Sequence, residues 1–177
     1  LCPNRQIFES AGEPYQAYFG ARQQEGIRLE FYSCSGPARL LDPYAYYRLQ
    51  PWLCWKWNAD ASYFWAFGDN GRYPTWNEYL GTRNAYTPIF IEETSVTAAK
   101  EMEAIREGIE DFEYLVMLRA AIADAEAGDA ASPTLDHART LLYSAAPRVL
   151  ETGAGSIMWR TEQIGRASCR ERVFRTV

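Results

Sequence analysis

Three aromatic rings and two polar neighbours carry the clearest chemical signal in the chain. Tyr32 lies at the end of a predicted strand, Trp65 within a second one, and Asp69, Asn70 and Trp76 follow in the loop after it. A pyranose offers an apolar C–H face to a ring and equatorial hydroxyls to a carboxylate or amide, so this set suits a carbohydrate. The chain holds 6 Trp, 12 Tyr and 8 Phe, and 17 of these 26 aromatics fall between Phe31 and Phe90. Trp52, Trp55 and Trp57 read as packing residues. Tyr32, Trp65 and Trp76 stand between sugar stacking and packing, and Asp69 between a hydroxyl contact and a turn. Glycoside hydrolysis ordinarily needs two carboxylates across the scissile bond, or one acid with help from the substrate. Glu92 and Glu93 end another predicted strand, but no two carboxylates form a convincing pair.

The densest charged motif runs from Glu103 to Leu115. Arg106 and Glu110 are spaced i,i+4, as are Glu110 and Tyr114, and Glu107 and Asp111. Glycine inside a helix costs about 1 kcal/mol relative to alanine, so Gly108 points to close approach of another backbone. The motif reads as architectural: Arg106, Glu110, Asp111 and Tyr114 tie the helix to its neighbours, and Glu107 belongs to a solvated face.

Other chemistries lack residues. One histidine, His137, and four cysteines, of which Cys169 lies in a C-terminal segment set aside below and Cys2, Cys34 and Cys54 lack CxxC spacing, give no zinc site and no nucleophilic triad. The cysteines read as small buried side chains, with a Cys34–Cys54 disulfide as the alternative. No glycine-rich phosphate loop occurs, so no metal or cofactor is expected. A formal net charge of −5 argues against nucleic acid and anionic membranes as partners. No apolar run approaches the about 20 residues that span a bilayer.

Elements must position these groups. A helix is expected over 14–25, then a strand with Ile27, Leu29 and Phe31 alternating with polar residues, closed by Ser35-Gly36-Pro37. A helix from Asp42-Pro43 to about Asn58 is apolar on nearly every side and interrupted by Pro51. Residues 62–67 read as a buried strand, 68–86 as a long loop and 87–91 as a third strand. A long helix is capped by Ser95 and ended by Gly128, with Met102, Ile105, Ile109, Phe112 and Val116 as its inward stripe. A last helix starts at Ser132-Pro133, buries Leu135, Ala138, Leu142 and Ala145, and stops near Pro147. Strands alternating with helices predict βαβ units. Three strands are too few for a parallel sheet covered on both faces. The expected fold class is α/β: the C-terminal portion of a (β/α)8 barrel over 1–150, truncated on its N-terminal side and ending in two helices. Residues 151–163 read as a tail. Residues 164–177, with Gln163 before them, resemble the translation of a DNA-sequencing adapter. Setting aside that segment's four Arg and one Glu leaves a charge of −8.

Four motifs come in an order that resembles glycoside hydrolase family 123 and the related domain family numbered 4091. They are Phe31-Tyr32-Ser33-Cys34-Ser35-Gly36-Pro37; Arg48-Leu49-Gln50-Pro51-Trp52-Leu53-Cys54-Trp55-Lys56-Trp57; Phe64-Trp65-Ala66-Phe67-Gly68; and the Glu103–Leu115 run. The resemblance covers most of residues 25–120. It implies a β-sandwich followed by a (β/α)8 barrel, and a retaining β-N-acetylgalactosaminidase in which the substrate's own 2-acetamido group attacks the anomeric carbon. An adjacent Asp-Glu pair serves that reaction from an earlier barrel strand. No such pair precedes Tyr32, so the resemblance puts the catalytic carboxylates upstream of Leu1, and maps Tyr32 and Trp65 onto strand ends facing the sugar. The stretch from Gly68 to Pro88 departs from the family pattern. The alternative is a barrel that binds carbohydrate, or serves as scaffold, without catalysis.

Overall fold

The computed structural model describes residues 1–34, 44–65, 67, 88–128 and 132–151. The expected turn at Ser35-Gly36-Pro37, the helix entry at Asp42-Pro43, the loop over 68–86 with Asp69, Asn70 and Trp76, and the tail beyond Glu151 lie outside them.

The chain is a mixed helix and strand protein. Helix α1 (Arg5–Ser10) follows Asn4, whose side chain accepts a hydrogen bond from the Ile7 amide at 3.2 Å. Helix α2 (Glu13–Gln24) starts with Pro14 in its first turn, where a missing N–H costs nothing. Strand β1 (Glu30–Ser33) is shorter than its alternating pattern predicts. A π-helical turn, Tyr44–Arg48, then leads into α3 (Leu49–Trp57), which ends at Asn58 in the left-handed conformation. The wide turn lies just before Pro51, whose ring would crowd the carbonyl four residues back in a regular α-helix. Proline therefore sits in the first turn of α3 rather than kinking a continuous helix.

Strand β2 (Ala61–Phe64) pairs in parallel with β1, in the register Tyr32 to Tyr63 and Ser33 to Phe64. The first residues of the chain add a third parallel rank. Leu1 and Pro3 carbonyls accept from the Glu30 and Tyr32 amides at 2.8 and 3.2 Å, and Asn4 bridges Tyr32. Three neighbouring ranks thus occur in sequence order, with helices between them. The same-face rule places Phe31, Ser33, Ser62 and Phe64 toward the helices. Phe31 meets Phe8 edge to face with ring centroids 4.8 Å apart, in the buried cluster that also holds Leu29, Trp52 and Leu53, and Phe64 packs against Tyr46 and Tyr47.

Three expectations are corrected here. The strand over 87–91 does not extend the parallel sheet. Strand β3 (Ile89–Ile91) pairs antiparallel with β4 (Val96–Ala98) as a separate hairpin. Ser95 therefore closes the hairpin turn, its hydroxyl donating to Glu92 Oε2 at 2.9 Å, and caps no helix. β-Branched Val96 and Thr97 favour the strand, so helix α4 starts only at Lys100 and runs to Ala127. Glu92 and Glu93 belong to that exposed turn and not to a strand end of the parallel sheet.

Helix α4 also presents a face rotated from the expected one. Its buried positions are Ala104, Gly108, Asp111, Leu115 and Ile122, whereas Ile109 is 52 % exposed. An ideal Cβ on Gly108 would lie 2.6 Å from the Arg48 carbonyl oxygen and 3.0 Å from its Cα, so glycine sets the approach of the π-helical turn. Gly108→Ala is accordingly expected to destabilise. A steric cost of about 3 kcal/mol exceeds the about 1 kcal/mol that alanine gains in helix propensity. Calorimetry should show a melting point lowered by roughly 5 °C; an unchanged or raised one contradicts the contact.

Helix α5 (Pro133–Leu150) is capped by Ser132, whose Oγ accepts from the Leu135 amide at 3.2 Å. It continues through Pro147, against expectation. Burial of Val149 and Leu150 in the main core offsets the lost backbone bond. The described residues form no closed barrel.

Candidate functional site

Every second residue of the parallel sheet points away from the helices. Tyr32 and Tyr63 share that face by register, and Trp65 continues it beyond the end of β2, its amide bonded to the Ser33 carbonyl at 2.8 Å. Tyr63 is 49 % exposed, Trp65 62 % and the following Phe67 67 %. Residues 62–67 are therefore not the buried strand that their apolar run predicts. Tyr32 is half-buried, and Cys34, one pleat further on, is exposed and accepts a contact from Asn4 Nδ2 at 3.4 Å. The structure thus brings Tyr32 and Trp65 to the C-terminal ends of adjacent strands, on one face. Asp69, Asn70 and Trp76 lie outside the described residues.

Beneath this face, a buried polar array fixes the strand ends. Gln50 is fully buried on α3; its Oε1 accepts from the Ser33 hydroxyl, and its Nε2 donates to Ser62 Oγ at 2.9 Å and to the Tyr63 carbonyl at 3.0 Å. One side chain thereby holds both strands in register, and Gln6 reaches Ser33 Oγ from α1 at 3.4 Å. Alongside lies Arg5, 1 % exposed, donating to the Tyr46 carbonyl at 2.7 Å with its guanidinium 4.6 Å over the Tyr46 ring. Burial lowers the Arg5 pKa, opposed chiefly by the charge of Glu9. Burial in turn raises Glu9 to about 7 against the pull of Arg5 and Lys56. Burial also raises the Tyr46 phenol, opposed first by the charge of Arg5 and then by the nearby polar side chains of Gln6 and Ser33. Nothing in the sequence distinguished this arginine or this glutamine. Arg5 lies in the short polar run Asn4-Arg5-Gln6 and Gln50 between Leu49 and Pro51, and the burial of each depends on which strand end its helix crosses.

The charged motif on α4 divides in two. Asp111, 7 % exposed, takes a bidentate grip from Arg48, with Nε at 2.7 Å and Nη2 at 3.0 Å, and a third bond from Trp52 Nε1 at 3.1 Å. Glu107 closes on the remaining Arg48 Nη1 at 2.8 Å, so it is a partner in this node and not a solvated residue. Arg106 and Glu110 lie on the outer side. Arg106 bonds Glu103 at 2.8 Å and also Glu110, along the helix's own surface. Tyr114 is 46 % exposed and away from the buried stripe. Architecture resides in Asp111 and Glu107, reached by Arg48 from another element.

The three cysteines of the described residues are free thiols, so Cys34 and Cys54 are not joined. Burial pushes Cys54 up to about 12, which makes it inert. His137 is exposed on α5. Among the described residues, no group of three or more His, Cys, Asp or Glu is arranged to hold a metal ion, and no helix is long and apolar enough to cross a membrane. No protein-family model matches the chain. No curated protein matches it as a relative.

Proposed function

We propose that the chain is the C-terminal part of a (β/α)8 glycoside hydrolase acting on N-acetylhexosamine-type glycans. In this reading it supplies an aromatic section of the substrate rim, and the catalytic carboxylates belong to earlier strands. One observation carries the reading. Three parallel ranks follow one another in sequence order, helices cover one face, and the opposite face ends in Tyr32, Tyr63 and Trp65. Parallel strands are found buried on both faces, so a half-covered parallel sheet calls for further strands. In an α/β barrel the uncovered face would be the interior, and its C-terminal strand ends build the active site. The ordered motifs described above favour the same family of sugars.

The described carboxylates near the sheet do not suit catalysis: Glu30 and Asp60 lie at the N-terminal ends of β1 and β2, away from the rim, Asp111 and Glu107 are committed to Arg48, and Glu9 lies under the helices beside Arg5. The chain alone is therefore expected to bind a sugar weakly and to hydrolyse nothing. Titration of methyl N-acetyl-β-galactosaminide, followed by NMR, should shift the Trp65 indole resonance with a dissociation constant near millimolar, about −4 kcal/mol. Trp65→Ala should abolish the remaining sugar-induced shifts while leaving the melting point unchanged, because the ring is mostly exposed. Shifts scattered over the helices, or none at saturating sugar, contradict the assignment. The upstream coding sequence separates hydrolase from binder: an Asp-Glu pair ending a strand favours the hydrolase, and its absence a non-catalytic carbohydrate-binding barrel.

A further inference from the structure

A cleft of about 770 Å³ opens between α3, α4 and α5, next to the Asn58–Asp60 turn that enters β2. It lies at the opposite end of the strand from Trp65, and the carbohydrate reading makes no use of it. Its volume is that of a small-molecule site. The walls combine apolar and aromatic surface with charge: Ile122 and Leu142 are buried there, and Trp55 and Phe112 meet edge to face with centroids 5.5 Å apart.

The charges in this cleft are unevenly compensated. Its two carboxylates already have cationic partners, Asp60 with Arg28 at 3.6 Å and Glu126 with Arg139 at 2.8 Å. Lys56 and Arg119 also line it, and among the described residues neither has a carboxylate within ion-pair distance. The Arg119 guanidinium lies 4.9 Å over the Trp55 ring, which fixes its plane and leaves its N–H edge to meet a carboxylate in bidentate fashion. Two cations without an ion pair among the described residues, Lys56 with its ammonium 5.8 Å from the Trp57 ring and in the field of Glu9, are unexpected beside an aromatic wall in a chain of net charge −5.

We propose that this cleft binds an organic monoanion with a ring-sized apolar body, such as an aromatic carboxylate. The carboxylate pairs with Arg119 and Lys56, and the body lies against Trp55, Phe112, Ile122 and Leu142. This inference is independent of the sugar assignment, because it rests on other residues. The test is a calorimetric titration of the full chain with 2-naphthoate, against 2-naphthylmethanol as the uncharged analogue. Naphthoate is expected to bind at least tenfold more tightly than the alcohol, and Arg119→Gln to remove about a tenfold share of that preference, about 1.4 kcal/mol. Ala123 is an exposed residue of the cleft wall, so Ala123→Trp should block binding while leaving the melting curve unchanged. Equal binding of acid and alcohol, wild-type affinity in either variant, or no heat from naphthoate at millimolar concentration would each overturn the proposal.

Discussion

Asp111→Ala is expected to cost about 3–5 kcal/mol, the range for removing one partner from a buried ion pair, and to lower the melting point by roughly 10 °C or more. Three donors converge on this carboxylate: Arg48 through two nitrogens, and the Trp52 indole N–H. Without it, Arg48, only 13 % exposed, loses its bidentate carboxylate, and the Trp52 donor is left buried and unmet. The loss extends beyond one contact, because the π-helical turn carrying Arg48 rests on Gly108 one helical turn away. Arg106→Ala serves as the comparison. Its ion pairs are exposed, and pairs of that kind contribute little, so the melting point should not move. Equal effects of the two substitutions would show that the node does not hold α4 in place.

Stability should fall as pH rises from about 4.5 to about 7, through the titration of Glu9. The carboxyl lies beside Arg5 and in the field of Lys56, yet burial dominates and raises its pKa from 4.5 to about 7. The folded state therefore binds this proton more tightly than the unfolded state. The resulting stabilisation is complete below about pH 4.5 and is lost as pH passes through the folded value. The shift corresponds to about 3 kcal/mol. Glu9→Gln removes the titration. Denaturant melts at pH 8 should find that variant more stable than the parent chain by up to about 3 kcal/mol, with the difference vanishing near pH 4. A difference that does not depend on pH would place Glu9 in an ordinary solvated setting.

Local signals in the sequence mark the helices well and their faces less well. Ser132-Pro133 fixes the start of α5, and Gly128 the end of α4, through capping chemistry that acts within one turn. The inward side of α4 is different. A hydropathy pattern counts Gly108 and Asp111 as non-apolar, yet these two are buried, because the partner surface is an arginine-bearing turn and not an aliphatic layer. Ile109, an apolar residue, is left outside for the same reason. The hairpin of β3 and β4 escaped notice because a three-residue strand before a helix carries no period, and Ser95 is as suitable for a turn as for a cap. Helix α1 is likewise too short for a periodic signal.

At the candidate site, Tyr32 is legible because it closes an alternating run at a strand end, and Trp65 because it stands within a dense aromatic run. Their common face follows only from the parallel register of β1 and β2. Gln50 and Arg5, which support those strand ends from below, were not legible. A polar side chain is buried there because a second strand and a helix meet it, and no local pattern encodes that meeting.

The central claim is that the face bearing Tyr63 and Trp65 looks into a closed barrel of which this chain forms the later strands. Hydroxyl-radical footprinting of Tyr63, in this chain and in the product of the coding sequence extended upstream, tests it most directly. The account predicts rapid oxidation of Tyr63 in the chain alone, several-fold slower oxidation in the extended protein, and added protection of Trp65 by an N-acetylhexosaminide. Tyr63 reacting at the same rate in both proteins would mean that no further strands cover this face, and the barrel and its sugar site would be contradicted together.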